Sequence, residues 1–212
     1  MRYIALDVDG TIMRSNVSVA FGRFLYEIGQ ISFLQALSAA VAYALFYVGI
    51  ISVEKLHTLI FRLLFFRKEV SLIEKAADQF FLVKAPHLFQ KKVCKEIEVL
   101  QQEDAHLAIL SSSPDFLVKR VAQFLHIDEW HATEYRTDEQ GHFVALGSVV
   151  TGQEKRNIVR KKRDDKPLHI TVFTDSILDL PLIDQADQVV AVCPDRRLCR
   201  LAYERGWRIL AC

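Results

Sequence analysis

The chain has 212 residues, of which 51% are hydrophobic, 25% charged and 10% aromatic, with only 8 Gly and 5 Pro. That is a globular profile, with the length of one core domain plus an insertion. Lys+Arg 27 against Asp+Glu 26 leaves a formal charge of +1, so no global field draws the chain onto nucleic acid and polyanion binding is disfavoured. The cysteines, Cys94, Cys193, Cys199 and Cys212, form no CxxC pair and no metal-ligand spacing with histidine, which reads as reduced structural thiols in an intracellular compartment. Two aspartates interrupt the opening MRYIALDVDG before it could serve as a signal-peptide core, so a cytoplasmic location is expected.

In chain order, residues 2–6 form a short apolar run that stops at Asp-Val-Asp-Gly, the pattern of a buried parallel strand delivering polar groups at its C-terminal end. The same grammar returns at 106–110 before Ser111-Ser112-Ser113-Pro114, at 168–173 before Thr174-Asp175-Ser176, and at 189–192 before Cys193-Pro194. Helical patterns fall at 115–125, 154–162, 177–185 and 196–205. Strands alternating with helices predict an α/β fold, a Rossmann-like doubly wound and mainly parallel sheet whose ligands sit beyond the carboxyl ends of its strands. Two regions break the alternation. Residues 133–146, with Thr-Asp-Glu-Gln-Gly at their centre, read as a β-hairpin or flap. Residues 15–86 are helical throughout and read as an α-helical cap, leaving 1–14 and 87–212 as the catalytic core.

The chemistry gathers at the strand ends. Asp7 and Asp9 lie two apart, so in extended geometry both side chains point toward the crevice. Neighbouring carboxylates do not stay doubly ionised without a cation or a proton. Asp175 and Asp179 add two acids at a later strand end, and hard oxygen ligands from Asp7 and Asp175 suit Mg2+. Ser111 offers a hydroxyl beside backbone N–H groups at a helix start, a ready anion site. Lys155 can neutralise charge on a transferring phosphoryl group. Together these groups describe phosphoryl transfer through an aspartyl-phosphate.

The order DVDGT (from Asp7 to Thr11), SSSPD (from Ser111 to Asp115), GQEK (from Gly152 to Lys155) and DSILDLP (from Asp175 to Pro181) resembles the four motifs of the haloacid dehalogenase superfamily. The insert and the tail CPDRRLCRLAYERGWRIL resemble its phosphoserine-phosphatase-like branch with a helical cap. The resemblance implies a Mg2+-dependent phosphatase in which Asp7 is the nucleophile and Asp9 the general acid and base. It also implies that Asp7, the carbonyl of Asp9 and Asp175 hold the metal with Asp179 in support, and that Thr11, Ser111, Ser112 and Lys155 bind the phosphate. Two positions depart from the family pattern: Thr174 replaces the usual Gly before the metal-binding Asp, and Leu178 replaces a polar residue before the last Asp. Leu178 leaves room for a degenerate, non-catalytic binding protein. A phosphoacceptor module like a bacterial receiver domain would also cluster Asp, Ser and Lys, but it needs no large insert and no acid two residues beyond the nucleophile.

The insert bears on the substrate. Phosphoserine phosphatases carry an amine-binding glutamate where this chain has Asn16, which weakens phosphoserine as substrate. Residues 28–53 contain no charge and are long enough to cross a bilayer. A single span would, however, separate Asp7 from Ser111. Two readings remain open: cap helices buried against one another, or an apolar surface for an acyl chain or peripheral membrane contact. The hydrophobic cap is similar to that of phosphatidylglycerophosphate phosphatases, which implies a lipid phosphate substrate, the alternative being a small soluble phosphomonoester. Arg62, Arg67 and Lys68, and the basic residues 160–163, would meet anionic lipid. The seven histidines show no metal-binding spacing.

Overall fold

The computed structural model describes residues 1–103, 105–165 and 167–211. Six strands form one sheet in the order β3-β2-β1-β6-β7-β8: β1 (Arg2–Leu6), β2 (His106–Pro114), β3 (Glu129–Thr133), β6 (His169–Thr174), β7 (Gln188–Val192) and β8 (Arg208–Leu210). Each neighbouring pair is parallel. Along β1 the side chains alternate between two cores. Ile4 and Leu6 pack into one with Val93, Ile97 and Phe116, while Tyr3 and Ala5 pack into the other with Val159, Leu182 and Leu198. A strand buried on both faces must be apolar at every position, which is why YIAL contains no polar residue.

The first core holds helices α5 (Lys91–Gln102) and α6 (Asp115–Phe124). The second holds α7 (Gly152–Asp165), the four-residue α8 (Leu180–Ile183) and α9 (Arg196–Arg205). The helix expected at 177–185 is therefore a 3-10 turn, Ile177–Asp179, followed by α8. The chain leaves β1 toward β2 on one side and returns to β6 on the other. The β1/β6 boundary is thus the point where strand order reverses, and a crevice opens beyond its carboxyl end.

Between β1 and α5 lie α1 (Val17–Glu27), α2 (Phe33–Tyr47), α3 (Val53–Ile60), a π-helical turn Phe61–Phe65, α4 (Val70–Val83) and a 3-10 turn Ala85–His87. The uncharged run is divided by its own local signals. Gly29 and Gly49 take positive φ of 72° and 77°, ending α1 and α2 with a residue that tolerates that conformation. Ser32 and Gln35 then form a reciprocal capping box on α2, and Ser52 caps α3. Among the described residues no helix is long and apolar enough to cross a membrane. Of the fifteen residues of α2, all described, Ala42 alone is buried.

The hairpin expected at 133–146 is present as β4 (Tyr135–Thr137) and β5 (Phe143–Leu146), paired antiparallel. It docks on the segment after the π turn, with Arg67 N–H donating to the Phe143 carbonyl at 2.9 Å and Phe143 N–H to the Lys68 carbonyl at 3.0 Å. Edge contacts among Phe61, Phe65, Phe116, Tyr135 and Phe143 tie the hairpin to the π turn and α6.

The expectation of reduced thiols holds only in part. Cys94 and Cys199 are free, Cys193 is disulfide-bonded, and Cys212 lies outside the described residues. Cysteine usage therefore no longer argues for a reducing compartment.

Candidate active site

Asp7 follows β1 directly, and its N–H donates to the Phe173 carbonyl of β6 at 3.0 Å, which fixes it at the switch point. Its carboxylate is buried and accepts a hydrogen bond from Lys155 Nζ at 2.6 Å. The same ammonium donates to Asp179 Oδ2 at 2.9 Å. Lys155 is therefore no solvated helix residue: with 4% exposure it sits on the first turn of α7, between two carboxylates.

Close backbone packing places it there. A Cβ on Gly152, the first residue of α7, would lie 2.2 Å from the Leu178 carbonyl oxygen, so only glycine lets α7 approach the Ile177–Asp179 turn. Thr174, one of the two departures, has a use, since its hydroxyl donates to Asp179 Oδ2 at 2.8 Å. Leu178, the other, is 60% exposed. Asp179 thus lies as a counter-charge beside Lys155.

Asp9 sits in the turn beyond β1 and is held separately. Oδ1 accepts from Val17 N–H at 2.6 Å, at the start of α1, and Oδ2 accepts from Ser113 Oγ at 2.7 Å. Ser113 Oγ is in turn hydrogen-bonded to Ser18 Oγ at 2.8 Å, and Ser18 lines the same cleft as Tyr43 of α2. Ser113, Ser18 and Tyr43 were not singled out from the sequence. Strand alternation offered a signal for the first, because Ser111 and Ser113 are both buried while Ser112 is only partly so. Ser111 accepts from Ser113 N–H at 3.1 Å. Ser112 meets Thr133 through its carbonyl, which accepts from Thr133 Oγ1 at 2.6 Å. Thr11 is fully buried, and its hydroxyl has no partner among the described residues.

Asp175 follows β6. A Cβ on Gly10 would lie 2.1 Å from Asp175 Oδ2, and Gly10 has φ of 79°, so the DG step of the first motif is required twice over. Burial raises the carboxyls of Asp7 and Asp9 above the usual range. For Asp7, Lys155 opposes the rise while Asp179, Asp175 and Asp9 add to it. Burial and then Asp179 push Asp175 up to about 7. Burial works against the charge on Lys155, yet Asp179 and Asp7 hold its pKa above the ordinary value.

Four carboxyl groups thus face a single lysine, a crowding that calls for protons or a further cation. Among the described residues no three His, Cys, Asp or Glu side chains group closely enough to hold a metal by themselves. The set still fits Mg2+, which keeps several waters and takes one or two carboxylates.

Residues 4–184 match the family model of haloacid dehalogenase-like hydrolases. The chain belongs to this family. Among curated relatives of this hydrolase, the phosphoserine phosphatase SerB1 of Mycobacterium tuberculosis is 36% identical over 67 residues, 30% of this chain and 22% of that protein. The chain therefore matches about a fifth of that relative's length. A Bordetella pertussis protein of unknown function superposes with TM-score 0.88 at 16% identity, covering 99% of this hydrolase and 98% of that chain. A phosphoserine phosphatase, in a phospho-aspartyl intermediate analogue, superposes with TM-score 0.73 at 15% identity over 99% and 92%. The fold of this hydrolase is that of the phosphoserine-phosphatase-like members.

Among the remaining residues considered from sequence, Asn16 caps α1 by accepting from Val19 N–H at 2.9 Å. Lys162 pairs with Glu129 at 2.9 Å and Arg163 with Asp187 at 2.7 Å, so half of that basic run is engaged by the protein's own carboxylates.

Proposed function

We propose that this chain is a Mg2+-dependent phosphomonoester hydrolase working through an aspartyl-phosphate on Asp7. The observation that carries the reading is the buried Asp7–Lys155–Asp179 cluster, set beside Asp9 and Asp175 at the switch point of the sheet. With Oδ1 bound to Lys155, the other Asp7 oxygen attacks phosphorus and the bond to the leaving oxygen breaks. Asp9, whose pKa burial raises, donates a proton to the leaving oxygen. The resulting carboxylate then takes a proton from water. The hydroxide attacks phosphorus, releasing inorganic phosphate and restoring Asp7. Ser111, Thr11 and the backbone N–H groups after Ser111 hold the phosphoryl oxygens, and Ser112 adds its amide. Asp7, the carbonyl of Asp9 and Asp175 would hold Mg2+, which supplies positive charge to the phosphoryl oxygens.

Residues 15–86 act as a cap over this crevice. The leaving group is amphiphilic, a reading supported by the exposure of α2, the most apolar helix of the chain. Its outer residues Phe33, Leu34, Leu37 and Val41 are at least half exposed and make a peripheral contact with a lipid surface. A small soluble phosphomonoester is the second reading. Phosphoserine fits poorly, because Asn16 is spent on capping α1.

Phosphate release from p-nitrophenyl phosphate, with and without Mg2+ and with Asp7→Asn as control, tests the reaction. Release that requires Mg2+ and is lost in the control is expected; silence of the wild type, or equal release by the control, overturns it in favour of a non-catalytic binding protein. Sedimentation with anionic vesicles tests the membrane contact: Leu34→Lys with Val41→Lys is expected to abolish co-sedimentation, and wild-type protein that stays in the supernatant refutes it.

A further inference from the structure

A cleft of about 1120 Å³ runs between α1 and α2, larger than a site for a small metabolite needs. It follows α1 from Ser15, Asn16 and Ser18 at one end to Tyr26 and Glu27 at the other, roughly 15 Å of helix. The first end adjoins the reacting groups: Ser18 is one hydrogen bond from Ser113, which is one from Asp9. Beyond that end the walls are mainly apolar, with Ala20 and Gly22 on α1 and Ala36, Ala39, Ala40 and Ala44 on α2, and they also include Arg23 and Lys84.

One detail points to a ligand. Tyr135, which also lines the cleft, is 4% exposed, and its hydroxyl has no hydrogen-bond partner among the described residues. A buried donor of this kind is satisfied by an acceptor brought in from outside.

We infer that the α1/α2 cleft binds the hydrocarbon chain of the phosphomonoester, with Tyr135 donating to an oxygen near the head. The inference rests on the phosphatase reading and deepens it, since it names the leaving group as a long-chain alcohol or acylated polyol.

Binding is measured by calorimetry with non-hydrolysable ethyl and dodecyl phosphonates, below the concentration at which the latter forms micelles, beside phosphate release from ethyl and dodecyl phosphate. Each buried methylene strengthens binding about fourfold, so dodecyl phosphonate is expected to bind more than about a hundredfold more tightly than ethyl phosphonate. Gly22→Phe and, from the opposite wall, Ala40→Phe are each expected to cut that ratio at least tenfold, while Gly22→Ala keeps it. If Gly22→Phe fails to fold, Ala40→Phe reads the same ratio. Equal affinity for the two phosphonates, or a ratio untouched by filling the cleft, overturns the inference. Chain-selective binding without phosphate release from either ester leaves the cleft assignment standing and refutes the phosphatase reading; release without chain selectivity does the reverse.

Discussion

Exchanging Lys155 for methionine keeps much of the side-chain volume and removes its charge. The ammonium lies 2.6 Å from Asp7 and 2.9 Å from Asp179, away from water. Its loss leaves two buried carboxylates with no cation between them. Removing one partner of a buried ion pair costs about 3–5 kcal/mol, and one cation shared by two anions places the expected loss near the upper end. The loss depends on pH. Burial already raises the Asp7 carboxyl, and Lys155 is the largest influence opposing that rise, so the variant's value climbs further. An acid with its folded pKa above its unfolded one, about 4, favours the fold most below the unfolded value and loses that contribution as pH rises through the folded value. The variant should therefore be weakest near about pH 8 and recover toward about pH 5 as Asp7 takes up a proton. Urea unfolding at both pH values, in EDTA, reads the difference. A gap under about 1 kcal/mol at the higher pH, or one that does not narrow at the lower, would refute the reasoning, because breaking a buried pair cannot be so cheap.

Three further outcomes follow from the same geometry. Gly10→Ala combines a φ of 79° with a Cβ 2.1 Å from Asp175 Oδ2; it should lower stability by at least about 1–2 kcal/mol, read by thermal unfolding, and raise the Mg2+ concentration needed for half-maximal phosphate release. In EDTA, Asp175→Asn should be more stable than wild type above about pH 7 and no different below about pH 4. A carboxyl pushed from 3.8 up to about 7 bounds the gain at about 4 kcal/mol, and urea midpoints that run parallel across that range would sink the claim. Ser113→Ala removes the hydroxyl that lowers the Asp9 pKa against burial. The limb of the kcat/KM profile that reports Asp9 should move to higher pH, with Ser113→Thr restoring it, and an unmoved limb would show that Ser113 does not position the acid.

The four central strands were legible because a parallel strand covered on both faces is an unbroken apolar run, and the change to polar residues marks its end at the site. β3 and β8 were not, for the same physical reason reversed. At the edges of the sheet, EWHAT and RIL are only partly buried, so nothing forces an apolar pattern on them. Helix α5 went unread although Val93, Ile97 and Leu100 line one face. The acids were found at strand ends and Lys155 at a helix start, while their pairing was not, because which carboxylate Lys155 meets depends on how closely Gly152 lets α7 approach the Ile177–Asp179 turn.

The same reasoning explains why Thr174 looked like a defect and Ser113 like a bystander. A motif records which side chains face the substrate, whereas a hydroxyl that orients one of them is visible only once a second strand end is in place. Thr174 hydrogen-bonds Asp179 from the residue before Asp175, and Ser113 reaches Asp9 from β2. The uncharged run shows the limit from the other side. Composition could say that 28–53 is apolar, and Gly29, Ser32, Gly49 and Ser52 could say where it breaks, but whether α2 turns its apolar surface inward depends on what covers it. In this fold one face borders the cleft that begins at Ser15, Asn16 and Ser18 and the other meets solvent. A largely apolar helix left in that position keeps apolar surface on both sides, and the amphiphilic substrate proposed above would answer both faces at once.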